Sequence, residues 1–72
     1  MNRQGKIKGH IGWMDCGAVS FADAAVKVAQ HSQVVADKVF VVLRDQDDPE
    51  TEHEVTVESV RGYRVSGLRG GE

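Results

Sequence analysis

The most intrinsically reactive side chain in this chain is the thiol of Cys16, the single cysteine among 72 residues. It lies four residues before a predicted helix start at Ser20, and the positive end of a helix can lower the pKa of a thiol. Covalent catalysis would also need a base, which His10 or His31 could supply only if the fold brought one of them beside the sulfur. Nothing in the spacing demands that arrangement, so we interpret Cys16 as a small apolar residue that fills space.

The potential metal ligands do not follow the spacing of a familiar site. The histidines fall at positions 10, 31 and 53, which together with Cys16 fits no zinc finger or zinc ribbon. The acidic stretch after position 44 is similar in composition to a calcium-binding loop, but it has no glycine and Pro49 breaks the ligand spacing. A domain this small also has little core from which to build a cleft. We predict no catalytic residue, no cofactor and no metal site, and therefore no enzymatic activity.

Seven acidic residues and no lysine or arginine lie between positions 45 and 58. A surface of one charge sign favours a partner of the opposite sign. We assign partner binding to Asp45, Asp47, Asp48, Glu50, Glu54 and Glu58. The alternative is that the glutamates pair across strands with Lys38, Arg44 and Arg64, and the sequence does not decide between the two.

Basic residues near both ends of the chain suggest a different class of partner. A nucleic-acid-binding protein would use them together with the aromatic rings of Trp13 and Tyr63. The basic residues in question are Lys6, Lys8, Arg61, Arg64 and Arg69. The net charge of −2 and the repulsion between phosphates and the acidic stretch make nucleic acid the alternative hypothesis.

The element that must position these side chains is a central strand at residues 38–44. Five consecutive apolar residues lie between Lys38 and Arg44, three of them valine, which is typical of a strand covered on both faces. A helix is predicted over residues 21–33 with Ser20 as its N-cap. Its apolar stripe consists of Phe21, Ala24, Ala25, Val28 and Ala29.

Alternating apolar residues predict the remaining strands at 6–14, at 52–60 and from Tyr63 to about Leu68, with Trp13 packed against the helix. The predicted fold is a single α+β domain over residues 1–72 with the order β-α-β-β-β. One helix packs on one face of a small, mainly antiparallel four-stranded sheet. Residues 1–5 and 69–72 are predicted to be flexible tails.

One helix can cover only one face of this sheet. The other face then exposes either Phe40 and Val42 or the alternate set of Val39, Val41 and Leu43. An exposed apolar patch in the middle of a sheet is usually an interface. We predict self-association through Phe40 and Val42.

Residues 20–25 (Ser-Phe-Ala-Asp-Ala-Ala) begin an alanine-rich helix flanked by strands. This layout, over residues 6–65, resembles that of small accessory proteins of phages and mobile elements, including some single-domain anti-CRISPR proteins. The resemblance implies action by binding, in which the protein occludes a surface of a nucleic-acid-processing complex and needs no active site.

These patterns favour a small non-enzymatic protein-binding module, an inhibitor or adaptor that occludes a partner surface through its acidic hairpin and open sheet face. The partner would be a protein, for example a basic nucleic-acid-processing complex, and no membrane is involved. The single cysteine, and the lack of a run long enough for a membrane span or of a signal peptide, predict a cytoplasmic location.

Overall fold

A computed structural model describes residues 2–32, 37–59 and 62–67. Within these residues the chain forms one helix and one five-stranded antiparallel sheet of order β2-β1-β3-β4-β5. The elements are β1 (Arg3–Ile7), β2 (Met14–Gly17), α1 (Phe21–His31), β3 (Lys38–Asp45), β4 (Asp48–Glu58) and β5 (Arg64–Ser66). The α+β class is confirmed, whereas the count of four strands was wrong. The predicted tail at 69–72 lies outside the described residues.

The fifth strand lies near the N-terminus, where β1 and β2 replace the single strand predicted at residues 6–14. The chain turns after Ile7, and Gly9 and Gly12 adopt φ values of 88° and 92°, a region that glycine enters without steric cost. Residues 3–5 were expected in a loose tail but belong to β1, which pairs with β2 on one side and β3 on the other. The polar sequence of this strand gave no apolar alternation by which to find it.

This turn also places β1 inside the helical crossover. Because β2 and β3 are both antiparallel to β1, they run parallel to each other but are not neighbours. The helix connects β2 to β3, which lie on either side of β1. The antiparallel meander of the last three strands is confirmed.

The helix forms where its sequence signals indicated. Ser20 is the N-cap, and its hydroxyl accepts a hydrogen bond from the Asp23 backbone N–H at 3.1 Å. The helix ends at His31 rather than near residue 33, and the Ser32 hydroxyl donates to the Ala29 carbonyl at 2.8 Å. Its buried residues are Phe21, Ala24, Ala25 and Val28.

The helix covers the sheet face that carries Val39, Val41 and Leu43. Val55 and Val57 of β4 complete this core. Gly5 lies in the middle of β1 directly beneath the helix, where an added Cβ would be 2.6 Å from Cγ2 of Val28 and 2.9 Å from Cδ2 of Leu43. The absence of a side chain at position 5 therefore sets how closely helix and sheet approach.

The β3–β4 hairpin is tighter than the predicted loop over residues 45–51. Asp45 pairs with Asp48, so the turn consists of two residues. The register then shifts between Leu43, which pairs with His53, and Asp45. Residues 49–52 therefore bulge out of the ladder opposite Arg44, and Pro49, which has no N–H, is tolerated there.

None of the helices described in the structure has both the length and the apolar character that crossing a membrane requires.

Candidate binding surfaces

The sheet face turned away from the helix is formed by every second residue of each strand. Since Val39, Val41 and Leu43 point to the helix, Phe40 and Val42 point away from it. Directly paired residues of antiparallel strands share a face. The members of this surface, which we call the open face, are Gln4, Lys6, Lys8, Trp13, Asp15, Lys38, Phe40, Val42, Arg44, Glu54, Thr56, Glu58, Arg64 and Ser66.

Trp13 lies on the open face, and the expectation that it packs against the helix was wrong. The guanidinium carbon of Arg44 is 4.0 Å from the centroid of the indole ring, and the ammonium of Lys6 is 4.8 Å from it. Arg44 also donates through Nε to Oε1 of Gln4 at 2.8 Å. Met14, the next residue, packs against the core on the helix side, so strand alternation places Trp13 on the opposite side.

The protein's own side chains cover much of the open face. The ammonium of Lys8 on the β1 side is 2.8 Å from Oε1 of Glu54 on β4, so this ion pair crosses over β3. Val42 lies between it and the Trp13 cluster and is only 6% exposed, whereas Phe40 is 58% exposed. Of the two residues predicted for self-association, Phe40 alone offers a large accessible surface, and their role in self-association stays a prediction.

A cleft of about 180 Å³ lies beside Phe40. It is lined by Lys8, Phe40, Glu54, Val55, Thr56, Ser66 and Gly67. Gly67 has φ 101°, and a Cβ there would be 3.2 Å from the Glu54 carbonyl oxygen. A larger residue at position 67 would therefore be strained and would press on β4 at the edge of the cleft.

The predicted acidic surface is divided between three places. Asp45 lies on the helix side, where its carboxylate is 3.1 Å from Nε of Arg3. Glu54 pairs with Lys8, and Glu58 stands in register between Lys38 and Arg64 on the open face. The exposed carboxylates at the turn end of the β3–β4 hairpin are those of Asp47, Asp48, Glu50 and Glu52. Neither of these two ion pairs is one of the predicted pairs with Lys38, Arg44 or Arg64. Partner binding by the acidic set stays a prediction.

A cluster that the sequence did not reveal surrounds the first residue of the helix. The guanidinium carbon of Arg3 is 3.9 Å from the ring centroid of Phe21, and the ring of His53 is 4.8 Å from it on a tilted plane. These residues come from β1, α1 and β4, and only the pairing of β1 with β3 brings Arg3 close to the helix. The contacts fix the N-terminal end of the helix on the sheet.

Cys16 is a core residue of β2. It is 2% exposed, and its thiol donates to the carbonyl of Ala24 at 3.8 Å. Burial raises the pKa of the Cys16 thiol above its ordinary value, and the charge of Lys27 offsets this only in part. A thiol with a raised pKa is a poor nucleophile at neutral pH, which agrees with the interpretation of Cys16 as an apolar filler.

We expect Cys16 to resist alkylation in the native protein. Iodoacetamide should react about a hundredfold or more slowly than with the urea-unfolded chain, because the thiol must be uncovered and ionised first. The alkylation rates are measured by mass spectrometry, and equal rates in both states would contradict the burial of the thiol.

The raised pKa of Cys16 also makes stability depend on pH. The native thiol keeps its proton at a pH where the unfolded one is ionised, so the free energy of unfolding should fall as pH rises above the ordinary pKa of the thiol.

In the part of the chain that the structure describes, no three histidine, cysteine, aspartate or glutamate side chains come together as a metal site would require. Arg61 and Arg69 of the predicted basic set lie outside that part, whereas Lys6, Lys8 and Arg64 lie on the open face.

Comparison with known proteins gives no match to a family model, a curated protein or a solved structure. Any function must therefore be argued from the two surfaces themselves.

Proposed function

We propose that the protein is a small non-enzymatic binding module that captures a partner protein through its β3–β4 hairpin and so occludes a basic surface of that partner. The observation that carries this proposal is the difference between the carboxylates of the sheet and those of the hairpin. Asp45 and Glu54 have arginine or lysine partners. Among the described residues, no ion pair is formed by Asp47, Asp48 or Glu50.

The backbone of the hairpin supports the same role. The two-residue turn holds the carboxylates at the end of the longest strands of the sheet, and the bulge at residues 49–52 moves them out of the ladder. Pro49 removes a backbone donor from this segment, which discourages the hairpin from adding to a sheet of another chain. Recognition would then depend on the side chains, and long-range attraction would speed the encounter with a basic surface.

Charge reversal of the hairpin is expected to weaken this capture without unfolding the domain. We expect a variant carrying Asp47→Lys, Asp48→Lys and Glu50→Lys to bind the partner about tenfold or more weakly, because attraction becomes like-charge repulsion. The measurement is quantitative affinity capture from the native cell, followed by crosslinking to locate the contacted surface. The melting temperature should be nearly unchanged because all three side chains are exposed.

A matched control is Asp37→Lys, which reverses an exposed carboxylate ahead of β3, away from the hairpin turn. It should retain partner capture. If the triple variant captures the same partner as strongly as the natural chain, or if Asp37→Lys weakens capture equally, the hairpin is not the recognition surface.

A further inference from the structure

The open face is positively charged although the chain as a whole is acidic. Of the residues that the structure describes, this face collects five of the seven lysines and arginines but only three of the ten aspartates and glutamates. The basic residues are Lys6, Lys8, Lys38, Arg44 and Arg64, and the acidic ones are Asp15, Glu54 and Glu58. This excess of cations on one face complements a polyanion.

Phe40 lies among these cations as an accessible flat surface. It is 58% exposed on the middle strand of the sheet. Lys8 follows β1 alongside it, with its backbone N–H donating to the Phe40 carbonyl at 2.9 Å, and Lys38 is two positions away on the same strand and face. An exposed aromatic ring surrounded by cations is the arrangement by which sheet proteins hold a stacked base next to its phosphates.

The cleft beside Phe40 adds groups that can contact the edge of a base. The hydroxyls of Thr56 and Ser66 and the carboxylate of Glu54 line it, so hydrogen-bond donors and acceptors border the aromatic ring. Thr56 pairs with Phe40 on one side and with Ser66 on the other, which places both hydroxyls in one row with the ring. A nucleobase on Phe40 would present its polar edge to this row.

From these observations we propose that the open face binds single-stranded nucleic acid, with one base stacked on Phe40 in the cleft and phosphates held by Lys8 and Lys38. A single strand is required because a base within a duplex cannot offer its flat side to the ring. The site is separate from the acidic hairpin and takes a different class of ligand.

The acidic hairpin does not prevent this binding. Asp45 and its cross-strand partner Asp48 are five residues from Phe40 along β3, about 17 Å in an extended strand, and Asp47 lies in the turn beyond them. Glu50 and Glu52 lie in the bulge opposite Arg44, four residues from Phe40 or about 13 Å. Both separations exceed the Debye length of about 8 Å at physiological ionic strength, so the hairpin is screened from the site there. At about 0.01 M salt the Debye length is about 30 Å, and the cations of the open face, which are nearer to Phe40, outweigh the hairpin.

Two carboxylates of the open face are nearer. Glu54 is 2.8 Å from the Lys8 ammonium and Glu58 is the cross-strand neighbour of Lys38, so a phosphate on Lys8 takes the place of Glu54.

The test is fluorescence anisotropy of the full chain with a short fluorescein-labelled oligothymidine at low salt, and with a duplex of the same length. The single strand should bind more tightly than the duplex. Phe40→Ala should weaken binding about 5- to 150-fold, the range for loss of one base–aromatic stack, whereas Phe40→Trp should retain it. Lys8→Gln and Lys38→Gln should each reduce the slope of log affinity against log salt by about 0.7.

Ile11→Ala is the matched control, because Ile11 is fully exposed but lies in a different cleft beside His31 and Ser32 at the end of the helix. It should bind as the natural chain does. The proposal is overturned by absence of binding at low salt, by equal affinity for the duplex, or by Phe40→Ala binding as well as Ile11→Ala. It is also overturned if Phe40→Ala changes the mass of the protein in solution instead, since the ring would then contact a second copy. None of these results bears on capture by the hairpin.

Discussion

Leu43→Ala is expected to lower the free energy of unfolding by about 2–5 kcal/mol, the usual cost of a cavity at a fully buried leucine. Leu43 is completely buried, and it is the largest of the fully buried side chains. A chain of this length has a total stability of roughly 4–11 kcal/mol, so the substitution removes a large part of that stability, and at the lower end of the range much of the variant would be unfolded. Urea denaturation followed by the fluorescence of Trp13 measures the change.

Two further substitutions, one at position 43 and one at position 40, are controls for this result. Leu43→Met keeps the volume of the side chain and should cost less than about 1.5 kcal/mol. Phe40→Ala removes a larger side chain from the same strand but from the exposed side, and should cost well under the Leu43→Ala value. If Phe40→Ala destabilises the domain as much as Leu43→Ala, the open face is part of the core and cannot serve as a binding surface.

The second large effect is expected at Gly5. Gly5→Ala should lower the free energy of unfolding by about 1–3 kcal/mol, because the added methyl group overlaps with Val28 and Leu43 and forces helix and sheet apart. The measurement is again denaturation by urea.

A double-mutant cycle identifies the cause. Val28→Ala removes the closest atom, so the double variant of Gly5→Ala with Val28→Ala should be more stable than the sum of the single effects by roughly 0.5–3 kcal/mol. Gly9→Ala is the control, since Gly9 has a positive φ and no atom near its would-be Cβ. Gly9→Ala lowers the free energy of unfolding through its backbone conformation alone, so its effect and that of Val28→Ala should add. If the effects of Gly5→Ala and Val28→Ala also add, the close approach of Gly5 to the helix does not determine stability.

The parts of the fold with strong local signals were predictable from sequence. The apolar run at residues 38–44 is the middle strand, and Ser20 followed by an apolar stripe marks the helix. The N-terminal strand was missed because its place in the sheet is specified by Gly5, a residue whose contribution is the lack of a side chain. Its other residues are mostly polar, so it gives no alternation.

The numbers of acidic and basic residues in the binding surfaces were predictable from sequence, but the positions of those residues in the fold were not. The number of acidic residues after position 44 is plain in the sequence, but the division between paired and unpaired carboxylates depends on the bulge opposite Arg44. The cationic character of the open face depends on the β1–β2 turn, which brings Lys6, Lys8 and Trp13 to the same side as Phe40. Both features are long-range consequences of strand order.

The position of β1 has a consequence for how the chain is made. It is the first of the five described strands to be synthesised, yet Arg3 cannot pair with Asp45 until β3 has been made. Such distant pairing makes folding slow compared with that of a helical protein of the same size. Until β3 has emerged, the β1–β2 hairpin offers the helix only Ile7, Met14 and Cys16 to pack against, and most of the core is missing. We therefore expect the growing polypeptide to stay protease-sensitive through most of translation and to become resistant only when β3 and β4 are complete.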